Sequence, residues 1–269
     1  MIKEWLEHLV TPCPKWARKM GYVCDLLNVR GRQKRCRDTW RSHLEKSQGV
    51  IRAAVKECAK RRKAVILGSG WLFDVPLDAL ADKFRQVMLV DVVHPLQSLK
   101  TARQYPNVRA VRADLTGIGN ACFEAAWRPE EKLPRTHPIL FCDDSEIDLV
   151  VSLNLLSHLP QLPVKYLSAK GVHSPVSVGT FAHDLVAAHL DYLQRLPGIV
   201  AIVTDFERLT LDPDGKILER ASTLRGVNFP WKGEEWDWNS APRPEADPVN
   251  SFQRRVVGVT NIKTASRRK

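Results

Sequence analysis

The sequence lacks long apolar runs and paired cysteines, and each absence excludes a class of protein. No apolar stretch approaches the ~18 residues that suggest a membrane-spanning helix. The first ten residues, MIKEWLEHLV, contain charged side chains where a signal peptide is apolar. The six cysteines form no Cys-x-x-Cys pair, which argues against a zinc site or a compact disulfide framework. We therefore expect a cytoplasmic protein with mostly buried thiols and no membrane contact.

Motifs for metal binding are also missing. The three histidines that follow His158 in the chain, His173, His183 and His189, form no His-x-x-x-His or His-Glu-x-x-His pattern, so we expect no metal. No internal repeat or low-complexity tract is visible. The chain is therefore expected to be globular, with its chemistry carried by organic groups.

Positive charge is concentrated at the two ends of the chain. The net charge is +11, and residues 1–63 alone contain 17 Lys or Arg against 6 Asp or Glu. The last seven residues carry +4, whereas residues 64–262 carry −4. Such asymmetry favours an anionic partner. The densest segment, RGRQKRCR at residues 30–37, is interpreted either as a solvated connector between helices or as an arm that contacts a polyanion.

From residue 64 onward, apolar runs alternate with segments of helical periodicity. Continuous apolar runs are typical of parallel strands that are covered on both faces. The predicted strands are 64–68, 87–91, 108–113, 147–153 and 199–205, and the predicted helices lie near 74–85, 95–104, 119–127, 160–168 and 180–195. Right-handed crossovers would give a doubly wound α/β sheet. An Asp-Gly turn predicts a hairpin at 209–219, and a last strand is predicted near 254–259.

The chain is thus divided into three parts. Residues 1–63 are predicted to be a basic helical extension or lid, residues 64–262 the α/β domain, and residues 263–269 a disordered basic tail. Three tryptophans, Trp231, Trp236 and Trp238, are expected to be buried in an ordered cover, although they are also candidates for a ligand-stacking wall.

The run AVILGSG, residues 64–70, ends a predicted strand in a glycine turn. Glycines there allow a ligand to approach the backbone closely. Asp91 ends the next strand, 21 residues after Gly70, which matches the spacing of an acid that accepts ribose hydroxyls. Asp114 follows the third strand. Either carboxylate is equally explained as a cap for the next helix.

The order of these motifs resembles that of class I S-adenosylmethionine-dependent methyltransferases. The resemblance covers roughly residues 64–260 and rests on VILGSG, LVD, RADL, EIDLVVSLNLLSHLP and IVAIVTDF. It implies a mostly parallel, seven-stranded Rossmann-like sheet whose last strand is antiparallel. It also implies S-adenosylmethionine as the cofactor and methyl transfer to a small molecule or an RNA.

The resemblance assigns roles to individual residues. Cofactor contacts are implied for Gly68, Ser69, Gly70, Asp91, Asp114, Leu115 and Ser152, and Asn154 is placed with Ser152 beside the transferred methyl group. The family's glycine loop has an acid and a third glycine where this chain has Ile66 and Leu72. Asp74 is a candidate replacement for that acid.

Asn154 and His158 are the candidate catalytic pair. Their spacing of four residues places them on one face if the segment is helical. Asn154 would orient a nucleophile, and a neutral His158 would take its proton. The alternative is that His158 only binds backbone at the start of a helix.

Two other functions remain open. The first is a catalytically inert methyltransferase-like scaffold that binds nucleic acid through its basic end. The second is a nicotinamide-dependent oxidoreductase with Tyr166 and Lys170 as its catalytic pair. The oxidoreductase fingerprint needs a glycine where this chain has Phe73, which disfavours the second function.

Overall fold

The computed structural model describes residues 2–268, with side chains described from residue 6 onward. The helices are α1 (Ile2–Val10), α2 (Lys15–Lys19), α3 (Tyr22–Arg35), α4 (Arg37–Glu57), α5 (Leu77–Lys83), α6 (Leu96–Ala102), α7 (Gly119–Ala125), α8 (Gln161–Lys170) and α9 (Pro175–Arg195). The strands are β1 (Lys63–Leu67), β2 (Gln86–Asp91), β3 (Val108–Arg112), β4 (Ile147–Leu153), β5 (Ile199–Leu211), β6 (Ile217–Ser222), β7 (Glu234–Ala241) and β8 (Ser251–Val259).

The described strands form a single sheet in the order β3-β2-β1-β4-β5-β8-β7, and β6 pairs with the second half of β5. Strands β1 to β5 are parallel, whereas β8 runs antiparallel to both β5 and β7. The strand order reverses beside β1, which creates a switch point between β1 and β4 where ligands bind in doubly wound sheets. The predicted doubly wound, mostly parallel sheet with an antiparallel late strand is confirmed.

The sheet has eight strands, one more than predicted. The hairpin that follows β5 is present, because Asp212 accepts hydrogen bonds from the backbone of Asp214 and Lys216 and so fixes the turn. The second strand of this hairpin, β6, pairs only with β5 and is not part of the main strand order. Strands β8 and β7 follow β5 in the main strand order and complete the sheet at that edge. The three tryptophans of the predicted ordered cover are buried, and Trp236 and Trp238 lie on β7, which alternates exposed and buried residues.

Helix α4 packs directly against the sheet. Its buried residues Trp40, Ile51 and Ala54 join a core that also contains side chains of β1, β4, β5, β7 and β8. The indole N–H of Trp40 donates to the carbonyl of Ser240 at 3.0 Å. The N-terminal helices are therefore integrated into the core of the α/β layer, while the predicted boundary at residue 63 stays a prediction.

Residues 30–37 are helical except for a turn at Cys36, where a connector or an arm was predicted, and contact with a polyanion stays a prediction. They form the end of α3 and the start of α4. Arg30 forms an ion pair with Glu7 at 2.7 Å, and Arg35 pairs with Glu245 at the same distance. Arg32 lies 3.6 Å from Glu245. Because carboxylates of the same chain neutralise these cations, the segment is stabilised as a helix face.

The tail through Arg268 is ordered, in contrast to the predicted disorder, and Lys269 lies outside the described residues. The backbone of Ser266 accepts from Lys232 at 2.8 Å, and the backbone N–H of Arg268 donates to Pro230 at 2.9 Å. This pairing covers Trp231, which is 1% exposed. Burial of a large indole explains why a basic tail is held in place.

Two further sequence expectations concern the cysteines and the membrane. Cys36, Cys58 and Cys122 are buried, Cys13 and Cys142 are half-buried, and Cys24 is exposed. Within residues 2–268, no helix combines the length and apolar character needed to cross a bilayer.

The packing of α4 against β8 can be tested by substitutions at two glycines. A Cβ at Gly258 would lie 2.5 Å from Cγ2 of Val50 and 3.0 Å from the Trp236 ring. Gly258→Ala should therefore cost about 1–3 kcal/mol of unfolding free energy through overpacking. Gly49 lies within α4 and has open space around it. Gly49→Ala should stabilise by up to about 1 kcal/mol in urea unfolding. Equal effects of the two substitutions would contradict this packing.

Candidate functional site

A cavity of about 270 Å³ opens at the carboxyl ends of β1 to β4. It lies at the switch point of the sheet, where open α/β folds bind ligands. Side chains of α3 and α4 form one wall, and residues of β7 and β8 contribute to another. The predicted site residues that line it are Gly68, Ser69, Gly70, Asp74, Asp91, Asp114, Leu115, Asn154 and His158. Four strand ends therefore converge on one cavity and bring these residues together.

The glycine turn after β1 is left-handed at three positions. Gly68 has φ +79°, and a Cβ there would lie 2.9 Å from the carbonyl oxygen of Leu153. Gly70 has φ +43° and Leu72 has φ +64°. The third position thus has the backbone conformation that favours glycine, although it carries leucine. The turn is closed by Asp91, because Oδ2 of Asp91 accepts from the backbone N–H of Gly70 at 2.9 Å.

The two predicted acids have different environments. Burial raises the pKa of Asp91, and this effect is opposed by hydrogen bonds from the backbone of Gly70, Val93 and Val92. Asp114 accepts from the backbone of Thr116 at 2.9 Å and of Gly119 at 2.6 Å. Asp114 therefore makes the helix-capping contacts that the sequence analysis left open, while it also lines the cavity.

Asn154 and Asp74 are hydrogen-bonded across the cavity wall. Nδ2 of Asn154 donates to Oδ2 of Asp74 at 2.7 Å. Burial raises the pKa of Asp74, and the bond from Asn154 partly offsets it. Asn154 follows β4 with φ +47°, and its Oδ1 is buried without a partner among the described residues. That oxygen is consequently available to a ligand.

His43 is the most important residue that the sequence analysis missed. It lies on α4, is 2% exposed, and its Nε2 is 3.3 Å from Nδ2 of Asn154. The indole N–H of Trp236 donates to its Nδ1 at 3.2 Å. Burial lowers the pKa of His43 to about 3, so the ring is neutral near pH 7. Its position three residues after Trp40 on the apolar face of α4 was the available signal.

His158 lies beside a buried ion pair. Asp205 is 1% exposed, and its Oδ2 contacts Nη1 of Arg254 at 2.5 Å while its Oδ1 accepts from Oγ of Ser157 at 2.5 Å. Burial lowers the pKa of His158, and the charge of Arg254 lowers it further. His158 and Arg254 both line the cavity, although only His158 was predicted.

Ser152 does not lie in the cavity, which corrects its predicted place beside the methyl group. It is fully buried, and its hydroxyl is 3.0 Å from Nε2 of His189 on α9. Tyr166 and Lys170 are also outside the cavity, because Lys170 on α8 packs over Trp127 at 3.7 Å. The pair required by the oxidoreductase hypothesis is therefore not at the candidate site. Among the described residues, no group of three side chains could hold a metal ion.

Unpaired buried polar atoms are concentrated at the cavity. Within the described part of the chain, five buried side-chain nitrogen or oxygen atoms have no hydrogen-bond partner. Four of them belong to cavity residues: Arg32 Nε, Ser69 Oγ, Asn154 Oδ1 and Trp238 Nε1. Because buried polar groups are normally paired, their clustering indicates a surface built for a ligand.

No protein-family model and no curated protein matches the chain. Solved structures resemble it weakly. The 1,6-didemethyltoxoflavin-N1-methyltransferase of Burkholderia thailandensis is 15% identical, with 88% of this chain and 89% of that chain covered and a TM-score of 0.36. The DhpI–SAH complex is 15% identical, with 86% and 93% covered and a TM-score of 0.35. The N-methyltransferase NodS of Bradyrhizobium japonicum is 11% identical, with 79% and 86% covered and a TM-score of 0.32.

The glycine turn gives a direct test of the site's backbone. Gly68→Ala combines a left-handed φ with a clash against Leu153, whereas Gly117→Ala shares the left-handed φ but meets open space. The control should cost about 1–2 kcal/mol from strain alone. Gly68→Ala should cost more than the control in urea unfolding. Equal costs would show that β4 does not approach the turn so closely.

The buried His43 predicts a pH dependence of stability. Its folded pKa of about 3 lies below the unfolded value of about 6.5, so the unfolded chain takes up the proton first as the pH falls. Stability is therefore lost below about pH 6.5, by up to about 1.4 kcal/mol per pH unit for this group. His43→Gln should make the urea-unfolding profile between pH 6 and 4.5 shallower by up to this slope. An unchanged slope would contradict a buried neutral ring.

The strand order agrees with the Rossmann-like sheet that the sequence resemblance implies, since a parallel β3-β2-β1-β4-β5 sheet is followed by an antiparallel β8 and then by β7.

Proposed function

We propose that the protein is an S-adenosylmethionine-dependent methyltransferase whose cofactor binds in the cavity at the switch point. The strongest support is the hydrogen bond from the backbone N–H of Gly70 to the carboxylate of Asp91. A ribose-binding acid and a glycine turn must be adjacent if they are to bind the same ligand. The resemblance of the motif order to the family points to the same cofactor.

Each cofactor role is assigned to a cavity residue. Gly68, Ser69 and Gly70 approach the methionine and ribose parts, and Asp91 accepts the ribose hydroxyls. Asp114 and Leu115 contact the adenine. Asp74 takes the place of the family's acid, because Ile66 is fully buried in the core and offers no polar group to a ligand.

The charge of the cavity favours this cofactor over a dinucleotide. Its acidic and guanidinium side chains are four carboxylates, Asp25, Asp74, Asp91 and Asp114, and the two arginines Arg32 and Arg254. S-adenosylmethionine carries two positive groups and one carboxylate, whereas a nicotinamide dinucleotide carries a diphosphate. Dinucleotides place that diphosphate at a helix N-terminus directly after the glycine turn. Here α5 begins only at Leu77, seven residues after Gly70.

The chain's own residues position the reacting groups. The cofactor supplies an electrophilic methyl group on a sulfonium, so the protein's main task is alignment and exclusion of water. Oδ1 of Asn154 is free to accept a hydrogen bond from the nucleophile and thus to orient it. His158 is held neutral by burial and by Arg254, and is therefore able to take up a proton that the nucleophile releases.

The acceptor is proposed to be a small molecule. Helices α3 and α4 form part of the cavity wall, which leaves little room for a polymer beside the cofactor. Three of the five cations in residues 30–37 already face carboxylates of the chain, so a polyanion contact there is not favoured.

The cofactor assignment is tested by calorimetry with S-adenosylhomocysteine and with NADH. S-adenosylhomocysteine should bind, and at 100 times its Kd it should stabilise the fold by roughly 2.7 kcal/mol. Asp91→Asn should weaken binding by roughly tenfold or more, since it removes a charge-assisted hydrogen bond. Asp78→Asn changes an exposed acid on α5 and should leave the affinity unchanged.

Two results would contradict the proposal. Binding of NADH without binding of S-adenosylhomocysteine would assign the cavity to an oxidoreductase. Absence of both, together with salt-sensitive RNA binding, would support the inert scaffold.

A further inference from the structure

Three residues with N–H donors line the cavity together with Asn154, and none of the four is assigned a cofactor contact. We name this set of residues the acceptor subsite and define it by His43, Asn154, Trp238 and Arg254. The ring of His43 stacks on Trp238 at 4.0 Å with an interplanar angle of 7°. The guanidinium of Arg254 lies 6.0 Å from the centre of the Trp238 ring. The four side chains come from α4, the end of β4, β7 and β8, so only the folded chain brings them together.

Trp238 provides the first donor. Its Nε1 is buried and has no partner among the described residues. An indole N–H can only donate, and leaving a buried donor unpaired costs about 1–3 kcal/mol. The free-energy cost of this unpaired donor is explained if a ligand in the cavity supplies a hydrogen-bond acceptor.

His43 provides the second donor because its tautomer is set by Trp236. Nδ1 of His43 accepts from the Trp236 indole, so in the neutral ring the proton is on Nε2. In the opposite tautomer, with the proton on Nδ1, two donors would face each other: the indole N–H of Trp236 and the Nδ1–H of His43. The 3.3 Å approach of Nε2 to Nδ2 of Asn154 is then a contact between two donors, since Asn154 already donates to Asp74. Nε2 of His43 therefore carries its hydrogen beside Asn154 in the cavity that both residues line, and it cannot act as a base.

Arg254 provides the third donor group, in a fixed orientation. Nη1 of Arg254 contacts the buried Asp205, whose other oxygen accepts from Ser157. This is the only side-chain hydrogen bond that Arg254 makes within the described residues, and Arg254 lines the cavity. A guanidinium held from one side presents a planar fork that matches a carboxylate.

We propose that the methyl acceptor is a small molecule bearing a carboxylate, which is held by Trp238, His43 and Arg254. This inference rests on the proposed methyltransferase function and names the class of its substrate. Three donors surround one unpaired acceptor, Oδ1 of Asn154. The carboxylate of the substrate pairs with the donors, and the nucleophile's own hydrogen pairs with Asn154. Apolar walls that include Leu44, Leu159 and Leu162 enclose the rest of the molecule.

The test compares carboxylates with their own primary amides. Benzoate, 4-hydroxybenzoate, indole-3-carboxylate and hexanoate, each beside its amide, are titrated into the full-length protein by calorimetry. Titrations are performed first without cofactor and then with saturating S-adenosylhomocysteine. The proposal predicts that at least one carboxylate binds roughly tenfold or more tightly than its amide, because only the carboxylate offers charged acceptors to all three donors.

Two variants connect this preference to the subsite. Trp238→Phe removes the N–H and keeps a ring against His43, and it should reduce carboxylate affinity by roughly tenfold. Arg254→Lys keeps a positive charge beside Asp205, which protects the fold, but loses the planar fork and should also weaken the carboxylate. Trp231→Phe is the matched control at a buried tryptophan outside the cavity, and it should leave the preference intact. Affinity for S-adenosylhomocysteine should be unchanged in all three variants.

Each outcome is decisive for one proposal. Equal affinity for carboxylate and amide, absence of saturable binding by every carboxylate, or an unaffected Trp238→Phe variant overturns the acceptor subsite. Carboxylate selectivity without any binding of S-adenosylhomocysteine overturns the proposed function and retains the subsite. Binding of S-adenosylhomocysteine without carboxylate selectivity overturns the acceptor subsite and retains the proposed function.

Discussion

The contact of His43 with Trp236 and Trp238 joins the two ends of the chain, and the cavity depends on it. A hydrogen bond from one indole and a stack on the other hold the ring of His43. Trp40, on the same helix, contacts Trp238 edge-on at 5.0 Å. This cluster fixes α4 against β7. Because α4 forms part of the cavity wall, the packing that stabilises the fold also shapes the ligand site.

A neutral imidazole is essential to that contact. Protonation of His43 would place a charge at a 2% exposed position and would remove the acceptor that Trp236 needs. The nearby Asp205 is compensated differently, since it is charged and paired with Arg254. Burial raises the pKa of Asp205, but Arg254, His158 and Ser157 together keep it below its ordinary value. A buried ion pair of this kind adds little net stability, whereas it orients a guanidinium well.

The predictable parts of the structure are those with local signals. Strands β1, β2, β4 and the first half of β5 are mostly apolar runs, and the glycine turn follows β1 directly, so a site at the switch point could be predicted from the sequence. Arg254 and His43 reach the site from distant elements. The helical period places His43 on the buried face of α4, but no local pattern identifies its partners, which lie up to 193 residues away. Ser152 was misplaced for a local reason. In a regular strand it would share a face with Asn154, but the left-handed Asn154 breaks the alternation and Ser152 faces α9.

The glycine loop differs at two positions, Leu72 and Ile66, from the pattern of the family that the chain resembles. Leu72 keeps φ +64° although the family's glycine is absent, and it packs against the core beneath α4. Burial of the leucine side chain offsets a strain of about 1–2 kcal/mol. Ile66 points into the same core, where an acid would be buried without a partner. Asp74, further along the turn, returns a carboxylate to the cavity. The loop of this chain therefore combines a left-handed leucine with a carboxylate that lines the cavity.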